Sequence, residues 1–465
     1  MKRKLVILTL FALLLAAFAI PATAETQNQS FIIMANSNSL PNGLEQRVNA
    51  AGGTITRLIP EIGLAVATSS NPNFASAVSR IPGVQTAMPN VTLQWIDPTH
   101  QVAIEWTTAS VGNPPFSGSA DLFFDLQWGH AAIEAPAAWA VGARGAGARV
   151  AVLDNGFDLT HPDLVPNINF ELSQNFVEGE SLQYGLPGPF SHGSHVAGTI
   201  AAAQNDFGTI GVAPDAELVL VKVLGDAGSG TFADVISGIV YAANVDADVI
   251  NMSLGATLPK RGIYDDDGNR VAGANEVAAL LTAISRATTY AYQQGTTVIS
   301  SAGNSGLNSN QTADLVHIPS QSTHVISISA TAPIGWATDP LNIDLDNLAS
   351  YSNYGLSHIA FAAPGGDFVY PGNEACVVAG LSRPCWVFDL VFSTGNQSWY
   401  WSAGTSMASP HAAGVAALII GANGGPMHPA QVEAALRASA DDLGQPGKDA
   451  FYGHGRVNAF NYFDN

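Results

Sequence analysis

Ser406 stands in the run Gly404-Thr405-Ser406-Met407-Ala408-Ser409-Pro410-His411, a small nucleophile at a Gly-Thr turn directly ahead of an Ala/Gly-rich helical stretch. A hydroxyl at a helix N-terminus lies beside unpaired backbone N–H groups and the positive end of the helix dipole. Such donors can hold the oxyanion that forms when a serine attacks a carbonyl. Alone, the run also reads as a Ser N-cap before a buried helix. Two upstream segments shift that balance. Val150-Ala151-Val152-Leu153-Asp154-Asn155-Gly156 is an apolar, β-branched run ending in a carboxylate. It has the pattern of a buried parallel strand with Asp154 at its C-terminal end, where open α/β sheets bind ligands. His192-Gly193-Ser194-His195-Val196-Ala197-Gly198-Thr199 opens a helical stretch with an imidazole in its first turn. A serine hydroxyl needs a base within hydrogen-bond reach, and the base needs a group that fixes its tautomer and steadies its charge.

Asp, His and Ser in this chain order form one of the three unrelated orders in which the serine triad occurs. With all three blocks nearly intact, the chain resembles the subtilisin-like serine endopeptidases (subtilases) from about residue 127 to its end, the segment Tyr452-Gly453-His454-Gly455-Arg456-Val457-Asn458 included. The resemblance implies Ser406 as nucleophile, His192 as general acid/base, Asp154 as the orienting carboxylate and His195 as a structural residue. A catalytic zinc on His192 and His195 lacks the acidic residue of a His-Glu-x-x-His site; His161 likewise reads as structural. Ser301-Ala302-Gly303-Asn304 matches the block carrying the family's oxyanion asparagine, Asn304, although Gly303-Asn304-Ser305-Gly306 also makes a good turn.

Ser253-Leu254-Gly255 and Gly228-Ser229-Gly230 resemble the two edges that sandwich an extended substrate by β-augmentation. Ala256 and Gly303 line the primary specificity pocket by the same likeness. Aligning Pro319 with the family's proline places His317 near the pocket floor, where an imidazole narrows the pocket or favours acidic side chains. Subtilases commonly hold calcium in the loop after the catalytic-His helix. Here that implies side-chain ligands Asn205 and Asp163, carbonyls of Ala203, Phe207 and Thr209, and Asp121 as an N-terminal ligand, a hard-oxygen set suited to Ca²⁺; a polar turn without an ion is the alternative. Asp265-Asp266-Asp267-Gly268-Asn269 lacks EF-hand spacing and reads as an exposed turn in an insertion.

The elements that must position these residues alternate. Strands are expected at 150–153, 217–224, 249–253, 297–300, 325–330 and 359–362, and helices in the His192 and Ser406 segments and at 231–243, 275–294 and 429–438. Such alternation predicts a doubly wound, mostly parallel α/β sheet with helices on both faces over residues 121–465. Ahead of it, residues 25–98 read as strand 31–34, helix 44–51, strands 53–59 and 63–67, helix 74–81 and strand 84–95. This ferredoxin-like β-α-β-β-α-β order resembles the inhibitory propeptide of subtilases. Residues 99–120, with Gly112-Asn113-Pro114-Pro115, read as an irregular linker where maturation cleavage falls. Residues 257–273 and 365–398 exceed the minimal family pattern.

Residues 1–24 carry a basic Lys2-Arg3-Lys4, an apolar stretch at 5–20 and Ala22-Thr23-Ala24, the pattern of a cleaved signal peptide. No later segment reads as a membrane span, so a secreted (extracellular or periplasmic), monomeric enzyme is expected. Cys376 and Cys385, close together in an exported chain, suggest a local disulfide; two cysteines without nearby His make a poor zinc set. The net charge of −20 argues against a nucleic-acid partner, which needs a basic face, and leaves solubility, cation binding and salt tolerance open. Protein or peptide substrates and the chain's own propeptide are the expected partners. A peptide-binding homologue that has lost catalysis is the second reading, and an esterase on this fold the third.

Overall fold

The computed structural model describes residues 28–96, 99–104, 121–265 and 267–464. Strands Arg149–Asp154, Glu217–Lys222, Val249–Met252, Thr297–Ser301, Val325–Ala332 and Phe361–Pro364 pair in parallel in one eight-stranded sheet. The short strand Asn347–Leu348 runs antiparallel to Val325–Ala332. Successive side chains of a strand point to opposite faces, and Arg149–Asp154 has both faces covered. Val150 and Val152 join the core beneath helices His192–Ala201 and Thr405–Ala422, while Ala151 and Leu153 join the core beneath Phe232–Asn244 and Ala274–Gln294. Continuous apolar strands of this kind belong to sheets covered on both sides. The expected strand at 359–362 lies two residues later.

Thr405–Ala422 is long and apolar enough to cross a bilayer, contrary to the expectation that no segment past residue 24 is. Its apolar window is 89% buried inside the protein, so the composition reflects a core position.

The N-terminal residues form an antiparallel sheet of Gln29–Ala35, Gly53–Ile59, Leu64–Ser69 and Val84–Pro89, in the spatial order second, third, first, fourth. One face packs Phe31 and Ile33 on Phe74 and Val48 of its own helices, Leu44–Ala50 and Phe74–Val78. The other face puts Ile32, Met34, Val66 and Met88 into the core shared with Phe232–Asn244 and Ala274–Gln294. Arg57 bonds Asp234 at 2.8 Å and Ser237 at 2.9 Å, and Arg286 bonds the Ala35 carbonyl at 3.0 Å.

Two local readings change. The strand expected at 84–95 is two strands in two sheets. Val84–Pro89 ends at a residue with no N–H to extend a ladder, and the chain turns at Asn90, whose Oδ1 accepts from the Ala233 N–H at 3.0 Å. Thr92–Gln94 then pairs antiparallel with Ser229–Thr231. The reading of an irregular linker from residue 99 also fails at its start. His100–Ala103 pairs with Trp399–Ala403, which pairs in turn with Val391–Thr394. Linker residues 105–120 and the signal-like 1–24 lie outside the described residues.

Candidate active site

Asp154 ends the Arg149–Asp154 strand and is fully buried. His192 is the first residue of the His192–Ala201 helix, fixed there by the Ser191 cap, whose side chain accepts from the Ser194 N–H. Strand end and helix start meet: His192 Nδ1 lies 2.9 Å and 3.0 Å from the two Asp154 carboxylate oxygens. This contact assigns the Nδ1 proton toward the carboxylate and leaves Nε2 as the basic nitrogen. Nε2 is buried and has no hydrogen-bond partner.

Ser406, the second residue of the Thr405–Ala422 helix, is also buried. Its Oγ donates to the Ser253 carbonyl at 3.1 Å, and the Ser253 Oγ donates back to the Ser406 carbonyl at 2.7 Å. The carboxylate and imidazole are therefore joined, while the hydroxyl is turned to a neighbouring carbonyl. Asn304 approaches from the turn after Thr297–Ser301, and its Oδ1 accepts from the Thr405 N–H at 2.9 Å and Oγ1 at 2.8 Å. The carboxamide is thereby oriented with its donor end turned away from Thr405.

The two expected substrate edges hold a segment of the chain itself. Trp95 N–H donates to the Gly228 carbonyl at 3.0 Å, and the Gly255 N–H donates to the Trp95 carbonyl at 2.8 Å. Ser229, Gly230 and Thr231 register with Gln94, Leu93 and Thr92. A strand is thus laid between two edges by main-chain bonds, the geometry of β-augmentation. Three residues past Ile96, Thr99 N–H donates at 3.1 Å to the carbonyl of Ala403, which precedes Ser406 by three residues. A cavity of about 320 Å³ beside residues 93–95 is walled by Gly255, Ala256, Gly303, Asn304, His317 and Ser406. Leu254 is a buried core residue beneath that edge.

The residues from 145 to 455 match the subtilase family model. M-protease of Shouchella clausii (strain KSM-K16) is 37% identical over 336 residues, which cover 72% of this chain and 69% of the relative. Subtilisin Savinase of Lederbergia lenta is 36% identical over 336 residues, covering 72% of this chain and 97% of the relative. The chain belongs to the subtilase family. As a subtilase it is a serine endopeptidase. Among solved structures, a lanthipeptide protease superposes with a TM-score of 0.57 at 30% identity, covering 76% of this chain and 98% of that one. An epidermin leader peptide processing serine protease of Staphylococcus aureus reaches a TM-score of 0.71 over 94% of this chain and 97% of that one; at 21% identity it is a likeness of fold.

Two other histidines of this subtilase, His195 and His161, are buried. His195 Nε2 lies 3.2 Å from the Val391 carbonyl, and its ring packs on Tyr400; burial pushes it down to about 3. His161 Nε2 meets the Ser398 carbonyl at 3.0 Å. Cys376 and Cys385 form a disulfide across the hairpin of Ala375–Val378 and Leu381–Pro384.

The side-chain oxygens expected to hold calcium are engaged within the protein. Asp163 Oδ2 accepts from Thr209 N–H at 2.8 Å, Thr209 Oγ1 at 3.1 Å and Trp399 Nε1 at 2.9 Å. Asn205 Oδ1 accepts from the Phe207 N–H at 3.0 Å, and Asp121 Oδ1 accepts from the Asn205 N–H at 3.0 Å. Ala203 N–H in turn donates to the Asp163 carbonyl at 2.7 Å. Protein donors thus occupy the Asp163, Asn205 and Asp121 side-chain oxygens that a cation would need.

One contributor escaped the sequence reading, and the segment beside the 365–398 insertion, expected to flank the cleft, takes a definite form. Thr405 orients Asn304 and also accepts from the Gly303 N–H at 3.0 Å through Oγ1; its place between Gly404 and Ser406 was the available signal. Trp399–Ala403, just beyond the 365–398 insertion and ending three residues before Ser406, forms the edge that pairs with His100–Ala103. Nothing in its aromatic pattern distinguishes an edge strand from core.

Proposed function

We propose that the chain is an exported endopeptidase that hydrolyses peptide bonds through an acyl-enzyme on Ser406. Rotation about the Ser406 Cα–Cβ bond moves Oγ from the Ser253 carbonyl to His192 Nε2. The imidazole takes the hydroxyl proton as Oγ bonds to the substrate carbonyl carbon, and the carbonyl electrons move onto oxygen. Asp154 holds the ring and offsets its positive charge. The Ser406 N–H and the Asn304 carboxamide donate to the oxyanion, and the imidazolium then protonates the leaving amine. Water repeats the sequence and frees the acid product. The Asp154–His192 contact carries this reading, because a paired, buried imidazole with an unpartnered Nε2 is poised to accept one proton.

Residues 25–98 are read as a ferredoxin-like inhibitory propeptide domain, 99–120 as the connecting segment and 121–465 as the catalytic domain. The antiparallel N-terminal sheet, its docking on two helices and the strand at 92–96 in the cleft support the assignment. Residues 1–24 are read as the export signal. The test is N-terminal sequencing of the secreted protein beside a Ser406→Ala control, with labelling by a serine-directed phosphonate. Labelling of the unaltered protein at Ser406, and loss of the N-terminal domain only where Ser406 is intact, is expected. Absence of labelling on the processed protein overturns the catalytic roles.

A further inference from the structure

The cavity next to the cleft-bound strand has an unusual floor. His317 lies in Leu315–Ile318, opposite Thr257 of Ala256–Pro259. Its ring sits between Gly255 and Gly303: a Cβ on the first would fall 2.5 Å from Nε2, and on the second 2.6 Å from Cε1. Gly303 also holds φ near +98°, which side-chain-bearing residues rarely adopt. Both walls are thus kept bare for the imidazole. Thr257 Oγ1 lies 3.0 Å from Nδ1. Nε2 is buried and unpartnered, and the cavity it lines also touches Ser406. An orphaned buried ring nitrogen is costly unless a ligand completes it.

We propose that His317 makes this pocket select an acidic side chain, Asp or Glu, at the residue on the amino side of the cleaved bond. The proposal rests on the protease reading above and names its substrate class. No Asp, Glu, Lys or Arg is among the described cavity residues, so an entering carboxylate meets no like charge and an entering cation finds no counter-ion. With Thr257 Oγ1–H donating to Nδ1, the Nε2–H donates to the carboxylate. Burial holds the ring neutral in the free pocket, pushing it down to about 3, with His358 behind it also disfavouring the charge. His358, ring centre 6.1 Å away and bonded to Ser320 Oγ, is the other titratable group facing it among the described residues of this cavity and its neighbour. A bound carboxylate supplies the missing counter-charge and favours the protonated ring, whose Nδ1–H then donates to a Thr257 hydroxyl turned to accept it.

The test is a set of fluorogenic peptides Gln-Trp-Ile-X, with X as Asp, Glu, Asn, Gln, Ala or Phe, cleaved after X by the processed enzyme. Glu and Asp should exceed Gln and Asn by at least tenfold in kcat/KM, with the ratio shrinking as pH rises from 6 to 9. His317→Leu should abolish that ratio while the Ala and Phe peptides are still cleaved. The unaltered enzyme decides the matter even if the variant misfolds: cleavage of Phe or Ala peptides with Glu no better than Gln overturns the proposal. Failure to cleave any peptide, together with no phosphonate labelling of Ser406, overturns the protease reading instead.

Discussion

Thr405 grips Asn304 twice, through its N–H at 2.9 Å and its Oγ1 at 2.8 Å, both on one carboxamide oxygen. The residue beside Ser406 thereby sets which end of the amide faces the site. Replacing Asn304 by Ala should lower kcat by about 10²–10³-fold with little change in KM, the scale of a lost oxyanion donor. Thr405→Val keeps the N–H bond and loses the hydroxyl one, so its kcat should fall less, by about tenfold. Thr405→Ser should restore activity. Steady-state kinetics on one peptide substrate checks the series, and an unaltered kcat in Asn304→Ala would remove the amide from the mechanism.

Asp154→Asn should leave the fold intact and lower kcat by about 10⁴-fold, because an amide at that position no longer fixes the Nδ1–H tautomer of His192. The loss should shrink at high pH, where hydroxide can take the serine proton in place of the wrongly tautomerised ring. A variant as active as the parent at neutral pH would contradict the role drawn from the 2.9 Å contact.

The loop at 203–209 closes on itself through Asp163 and Asn205. Adding EDTA should therefore leave the melting temperature within about a degree. A fall of several degrees, reversed by Ca²⁺ alone, would reinstate the calcium set of Asp121, Asp163, Ala203, Asn205, Phe207 and Thr209.

Acid should destabilise the fold. Burial pushes His195 and His317 down to about 3 and His358 and His411 to about 4. An unfolded histidine titrates near 6.5. Between about pH 4 and 6.5 the unfolded chain therefore binds protons that the folded chain refuses, and stability rises with pH across that window. Burial also lowers His130, His161 and His454. Five carboxyls oppose this: burial raises Asp125 to about 6 and Asp389 to about 7, and pushes Asp163, Asp248 and Asp346 up as well, so each favours the folded state at the lower end of the range. Among the described residues, seven lowered histidines outnumber five raised carboxyls. The urea midpoint of the Ser406→Ala protein should drop steadily from pH 7 to pH 4, and a flat profile would contradict these burial effects.

The parallel core was legible because its strands are continuous apolar runs, each ending where a helix pattern begins. Boundaries slipped where tertiary pairing decides: nothing local separates 359–362 from Phe361–Pro364. The triad blocks stood out because Asp154, His192 and Ser406 each sit at an element end with a fixed neighbour pattern. The rotamer of Ser406 could not be read, since it depends on the Ser253 carbonyl 153 residues away. The split of residues 84–95 was hidden for a similar reason. Pro89 marked a possible end, yet only the edge at Ser229–Thr231 gives the following residues a different sheet.

Residues 92–94 are gripped by Ser229–Thr231 and residues 100–103 by Trp399–Ala403. A proposed maturation cut between the two grips would free neither piece at once. It would leave two fragments each still paired to its own edge, and re-joining would compete with escape. The delay before such an enzyme meets its first outside substrate would then follow how quickly the severed ends peel off, whatever the speed of the cut itself.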